Sequence, residues 1–272
     1  DVVAAQVAGT ARGDVGFITS RGRLLRVSCL DLPVLPAAAG PVSLAGGSPV
    51  RELLGSGGDG QGGLARGERV VGLCSLAEGA PPLAVGTLGG VVKRVVPDKP
   101  RGDEWDVIAL KPGDEVVGAA PADDAATLAF VTSDAQLLRF AASLVRAQGR
   151  AAGGMAGVRL AAGAEVVAFC VVERPEDAQL VTVAGSAGAL PGTEAGAAKV
   201  TPLANYPAKG RATGGVRCQR FLRGQDRLIQ AWAGPGPARA CGSGGQPVEL
   251  PPVDERRDAS GTPLTAPVAA IG

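Results

Sequence analysis

Apolar and polar positions alternate along this chain in short runs, and the runs return. Phe17-Ile18-Thr19 and Leu24-Leu25 flank a turn at Ser20-Arg21-Gly22, and the unit closes on Arg26. The same strand, turn and strand ending in a base recurs at 85–94 and 130–139, and more weakly at 183–190 and 240–248. Gly in such a turn supplies the positive φ that tight hairpins require. A second unit, a Val-rich strand behind a Gly-acid turn, reads Gly67-Glu68-Arg69-Val70-Val71-Gly72. It returns at 113–118 and 163–168, and loosely at 224–229. Period-two alternation bounded by turn residues predicts strands. With 42 Gly and 21 Pro spread along the chain, long helices are not expected.

Taking Thr19, Thr87, Thr132, Gly185 and Gly242 as equivalent points, the repeats are 68, 45, 53 and 57 residues apart. That spacing fits one four-stranded blade per repeat, with insertions. A lone blade leaves its faces unburied, so the repeats must stack into one array. The expected architecture is a single all-β domain over 1–272, a propeller-like ring of five or six blades. Approximate repeats are 14–80, 81–125, 126–178, 179–236 and 237–272. Residues 1–8 are expected to form a partial blade that closes the ring. The longest insertion, 31–66, holds a Gly-rich stretch at 55–63 that reads as a flexible loop. The rival arrangement is two β domains divided near 120–127.

Composition removes most catalytic readings. The chain has no His, so neither a Ser-His-Asp nor a Cys-His nucleophile system can be built, nor a His-ligated metal site. Five cysteines, at 29, 74, 170, 218 and 241, form no CxxC pair and read as buried thiols. The carboxylates Asp103, Glu104 and Asp106, and Asp123-Asp124, read as solvated turns, and Tyr206 in Asn205-Tyr206-Pro207 as structural. No window approaches the roughly 20 apolar residues of a membrane span. The chain opens at Asp1 with no Met and no basic leader, which reads as an excised domain.

The net charge of +1 hides a segregated distribution. Residues 137–164 carry Arg139, Arg146, Arg150 and Arg159 and no acid; 195–225 carry Lys199, Lys209, Arg211, Arg217, Arg220 and Arg223 and no acid. Residues 98–134 are predominantly acidic. Two loops in the basic segments share a form, Gln148-Gly149-Arg150-Ala151-Ala152-Gly153-Gly154 and Lys209-Gly210-Arg211-Ala212-Thr213-Gly214-Gly215. Glycines let a backbone approach a phosphate, and Arg adds a bidentate fork. With only 3% aromatic residues, base stacking is not the expected mode, which leaves duplex backbone contact. The candidate contacts are the bases that close the repeated strands, Arg26, Lys93, Arg94 and Arg139, together with Arg146, Arg150, Arg159, Lys209, Arg211, Arg217 and Arg220.

The run Val91-Val92-Lys93-Arg94-Val95-Val96-Pro97, the strand at 113–118 and the two Gly-Arg loops resemble the C-terminal domain of the A subunit of bacterial type II topoisomerases, the family of DNA gyrase and topoisomerase IV. The blocks 132–140 and 209–217 are most similar to the actinobacterial topoisomerase IV type. The resemblance implies a β-pinwheel with exchanged strands and a basic rim that binds and bends duplex DNA. Gyrases carry a Gln-Arg-Arg-Gly-Gly-Lys-Gly run in the first blade. The corresponding region here, about 31–66, has none, which favours segment selection for decatenation and relaxation over gyrase-type wrapping.

The resemblance implies that this fragment is not itself an enzyme. Strand cleavage and the ATP and Mg sites lie elsewhere in a cytoplasmic, nucleoid-associated holoenzyme. The implied partners of the monomeric domain are double-stranded DNA, the rest of the A subunit, together with the ATPase B subunit of the holoenzyme, with no membrane. A propeller-like scaffold for protein interactions, without DNA, is the alternative from a different class.

Overall fold

The computed structural model describes residues 1–34, 47–55, 63–96, 102–190 and 192–272. The expected Gly-rich loop at 55–63 lies outside the described residues except for Gly55 and Gly63. Each strong repeat folds as predicted into a hairpin. Its Thr does more than mark the position. Thr19, Thr87 and Thr132 each accept the N–H four residues on through Oγ1, at 3.4, 3.2 and 3.2 Å. Their carbonyls accept from Gly22, Gly90 and Ala135 at 2.9, 3.0 and 3.0 Å. Backbone and side chain of one Thr therefore close both sides of the turn, which is why Thr recurs there.

The hairpins build five sheets. In the first, Val70–Ser75, Asp14–Thr19, Arg23–Ser28 and Glu104–Asp106 lie side by side from the ring axis outward. The second runs Val116–Pro121, Leu83–Thr87, Val91–Val95, then Ala147–Gln148 and Met155–Ala156 at its rim. The third runs Val166–Val172, Thr127–Thr132, Gln136–Ala141, Val216–Arg217. The fourth runs Arg227–Pro235, Ala178–Gly185, Ala197–Pro202, Thr262–Pro263. In the fifth, the described strands are Ala270–Ile271, Ala240–Cys241 and Pro247–Val248. The outer strand of each of the first four sheets is thus supplied by the segment that follows the next hairpin. We call these segments straps. A sequence repeat and a blade are consequently different stretches of chain.

Inner strands of neighbouring blades pack on one another in order, 70–75 on 116–121, 116–121 on 166–172, and 166–172 on 227–235. The inner strand 116–121, just before 120–127, packs on both neighbours, so the ring of blades runs through that stretch. Closest approach falls on small residues. A Cβ on Gly72 would sit 1.9 Å from the Ala119 carbonyl oxygen, and one on Gly118 would sit 2.3 Å from that of Phe169. The Val-Val-Gly ending of the second repeat unit is therefore an inter-blade packing requirement. The inner strands enclose a cavity of about 990 Å³ that also receives the chain ends, Val3–Gln6 and Ala269–Gly272. The N-terminal ammonium of Asp1 donates to the Gly245 carbonyl at 3.0 Å, on the fifth sheet.

Straps and blades are joined by ions as well as by backbone. The Arg23 guanidinium donates to Glu68, Glu104 and the Gly63 carbonyl. It ties one hairpin to the approach to its inner strand and to the strap from the second repeat. The Glu68 side chain is fully buried. Burial pushes its carboxyl up, but the Arg23 fork, the Thr19 hydroxyl and the Ala65 N–H outweigh that and hold it below its ordinary value. Its contribution is present above the unfolded carboxylate pKa and fades as pH falls through the depressed folded one. Glu68→Ala should cost about 2 kcal/mol at neutral pH, because it removes the charged bonds of Arg23 to a buried acid and leaves the guanidinium Glu104 and the Gly63 carbonyl. The difference from the parent in urea midpoint should shrink at low pH, where the parent loses the same interaction.

Candidate nucleic-acid interface

The straps form the outer rim. Those after the third and fourth hairpins each begin with a short 3-10 turn, Ala142–Leu144 and Leu203–Asn205. Each then runs parallel to the outer hairpin strand of the preceding blade, pairing Ala147 with Arg94 and Ala208 with Arg139. It turns through its Gly-Arg loop and comes back antiparallel, pairing Met155 with Val92 and Val216 with Leu137. The two loops therefore occupy equivalent places on adjacent blades.

The second loop is also stitched to the stretch 156–159 that follows the first. Arg159 N donates to the Thr213 carbonyl at 3.0 Å, Ala212 N to the Gly157 carbonyl at 2.7 Å, and the Arg211 guanidinium to the Ala156 carbonyl. The glycines divide by role. Gly154 and Gly215 lie against the outer strand, where a Cβ would meet the Val92 or Leu137 carbonyl oxygen at 2.8 or 2.7 Å. A Cβ on Gly149 or Gly210 would meet nothing within 4 Å. At those two positions packing does not call for glycine, and the backbone is open to a ligand.

The eleven candidate contacts separate sharply. Arg146, Arg159, Arg217 and Arg220 are exposed on the two straps, and Arg150, Lys209 and Arg211 are half-buried in the loops. Lys209 Nζ also donates to the Gly214 carbonyl at 2.8 Å, which braces its own loop.

The bases that close the repeated strands do something else. Lys93 is 0% exposed and Arg94 4% exposed, so neither is available to a phosphate, and their assignment as DNA contacts is corrected. Lys93 Nζ donates to the carbonyls of Val107, Arg150 and Ala152. Arg94 donates to Asp124 and to the carbonyls of Ala122, Ala142 and Val145. Arg139 sends Nε to the Tyr206 carbonyl at 2.6 Å, and burial lowers its pKa. Arg26 pairs with Asp103, whose hydrogen bond raises the Arg26 pKa. All four fasten a strap to the blade beneath it. A base at the end of a strand carries the same signal in sequence whether it faces water or a neighbour's carbonyls, so only the exchange of strands reveals the role.

The exchange also absorbs the carboxylates. Asp103, Glu104 and Asp124 pair with Arg26, Arg23 and Arg94, and Asp123 caps the amides of Ala125 and Ala126. Among the described residues no group of three or more acids or thiols is placed to hold a metal ion. Tyr206 is fully buried, with its hydroxyl 3.0 Å from the Arg257 carbonyl.

Two features lie beyond the candidate contacts. Arg223, exposed on the fourth repeat's strap, extends the basic arc. The fifth strap repeats the layout of the loops, pairing Val253 in parallel with Val200 and placing Arg256 and Arg257 in its bend. Of the glycines that flank the other two loops it keeps Gly261, where a Cβ would meet the Ala197 carbonyl oxygen at 2.8 Å, but has none before its arginines, which concealed the equivalence, and Asp254, which pairs with Arg256, Glu255 and Asp258 cancel its charge.

The family model described as the DNA gyrase C-terminal domain, a β-propeller, matches residues 126–172 and 192–231, the stretch that builds this arc. The DNA gyrase A subunit of Deinococcus deserti is 31% identical over 208 residues, covering 74% of this chain and 23% of that protein. The chain thus spans about a quarter of the length of that relative. A crystal structure of the C-terminal domain of DNA topoisomerase IV superposes with a TM-score of 0.72 at 18% identity, covering 96% of this chain and 79% of that one. The C-terminal domain of DNA gyrase A superposes at 0.64 and 15% identity, covering 97% and 83%. The five sheets of this chain thus share the fold of those C-terminal domains, and its sequence is similar to that of DNA gyrase A subunits.

Proposed function

We propose that this domain binds duplex DNA along the arc of the third and fourth straps and bends it, presenting or selecting a segment for strand passage in a type II topoisomerase that relaxes and decatenates. One observation carries the reading. Two Gly-Arg loops stand at equivalent places on adjacent blades, the second hydrogen-bonded to the 156–159 stretch that follows the first, in segments 137–164 and 195–225 that contain no acid. Arg146, Arg150, Arg159, Lys209, Arg211, Arg217, Arg220 and Arg223 follow that arc. The absence of a Gln-Arg-Arg-Gly-Gly-Lys-Gly run from 31–66 supports the topoisomerase IV type over wrapping. Cleavage, ATP and Mg belong to the remainder of the cytoplasmic holoenzyme, its catalytic core and its ATPase partner.

Binding should be indifferent to sequence and sensitive to salt. If five of these bases meet phosphates, log K against log salt has a slope of about −4.5. Fluorescence anisotropy with two unrelated 40-base-pair duplexes measures it. No binding at 50 mM salt would reject the reading in favour of a protein scaffold. Closing nicked circles on the bound domain then separates the two topoisomerase types. A small change in linking number fits segment selection, and a large one-signed change fits wrapping.

A further inference from the structure

We infer that Lys93 is a positioning residue for the DNA-facing loop of the neighbouring repeat, holding 149–154 from beneath by its carbonyls. The inference rests on the DNA reading for its consequence but not for its geometry. Lys93 lies on the outer hairpin strand of the second blade. Its ammonium has three donors, and they meet three carbonyl oxygens, of Arg150 and Ala152 in the loop and Val107 in the second repeat's strap, at 2.8, 2.7 and 2.7 Å. Burying an ammonium is costly unless every proton is bonded. Here every proton is, and two of the three bonds end within the loop. Burial brings the Lys93 pKa down to about 8, and the three acceptors favour the charged form.

Two comparisons within the ring show that the device is specific. The equivalent position, six residues past the turn Thr, is Leu25 in the first blade and Leu138 in the third. The loop 210–215 lies over Leu138 and is braced instead by its own Lys209. In the fourth blade the equivalent residue is Lys199, fully enclosed, with Nζ bonded to the Cys218 carbonyl at 3.2 Å and the Arg257 carbonyl at 3.0 Å, besides Thr201 and Tyr206. It holds the fifth strap, whose charges cancel. Lys93 and Lys199 are thus the same tether, one under a loop of the basic arc and one outside it.

The test is trypsin cleavage without DNA, paired with duplex affinity, on the parent, Lys93→Met and Lys199→Met. Lys93→Met should speed cleavage after Arg150 at least tenfold, leave cleavage after Arg211 unchanged, and weaken duplex binding about fivefold. Lys199→Met removes an equally buried tether and should leave cleavage after Arg150 unchanged and affinity within twofold. Unchanged cleavage after Arg150 in Lys93→Met, or an equal loss of affinity in Lys199→Met, overturns the inference. If Lys93→Met does not fold, the parent still decides. Its Arg150–Ala151 bond should be cut at least tenfold more slowly than the exposed Arg223–Gly224 bond, and equal rates overturn the tether. Faster cleavage in Lys93→Met with no duplex binding by the parent would leave the tether standing and reject the DNA reading alone.

Discussion

Replacing Arg150 and Arg211 together by alanine should weaken duplex binding about 60-fold at 0.1 M salt and flatten the salt slope by about 1.8, because each phosphate contact releases roughly 0.9 of a counterion. The two side chains stand at the same point of adjacent straps, beside Gly149 and Gly210, where the backbone is open. Arg211→Ala also removes the guanidinium bond to the Ala156 carbonyl, but Lys93 beneath one loop and Lys209 within the other still hold them. The substitution should therefore remove charge without disordering the rim. Affinity should drop equally for every duplex sequence, since phosphates carry no sequence information. Arg256→Ala with Arg257→Ala, at the equivalent bend of the fifth strap, is the matched control and should change affinity less than threefold. A 60-fold loss with an unchanged slope would mean that the arginines act through something other than phosphates.

Gly72→Val should be the most damaging single change in the ring, at about 4 kcal/mol, above the usual 1–3 kcal/mol of overpacking. The obstacle explains the size. A Cβ there would lie 1.9 Å from the Ala119 oxygen and 2.7 Å from its carbonyl carbon, both backbone atoms of the second blade's inner strand. Side chains repack, but a paired strand cannot move aside without breaking its ladder to 83–87. The urea midpoint measures the loss. Gly163→Val is the control, since that glycine has φ +75° but open space around its Cβ, so it reports backbone strain alone. If the two variants lose the same amount, inter-blade contact is not what holds Gly72.

The hairpins were legible because turn chemistry is local. Thr19, Thr87 and Thr132 bond within four residues of themselves, so the motif and its cause share one window of sequence. The exposed arginines of the third and fourth straps were legible because 137–164 and 195–225 contain no acid. Lys93 and Arg94 were misassigned for the opposite reason. Their partners lie 14 and 28 to 59 residues away, most of them on straps whose destination no local pattern encodes. Gly72 was read as the end of a strand, although its cause is a carbonyl in the next blade. Local bonds leave a local trace, whereas bonds made by exchange appear only once the exchange is seen.

Strand exchange also limits how such a ring can change size. Removing the fifth repeat would strip the fourth blade of Thr262–Pro263 and leave Lys199 without the Arg257 carbonyl. An internal repeat gained or lost whole brings or takes both a hairpin and a strap, so the strap that follows it passes to a different blade while each interior blade keeps one. The end of the chain is different, because the blade before the last depends on a strap encoded beyond it. A woven ring of this kind can change its blade number from within, but it cannot be trimmed from its end without uncovering a blade that remains.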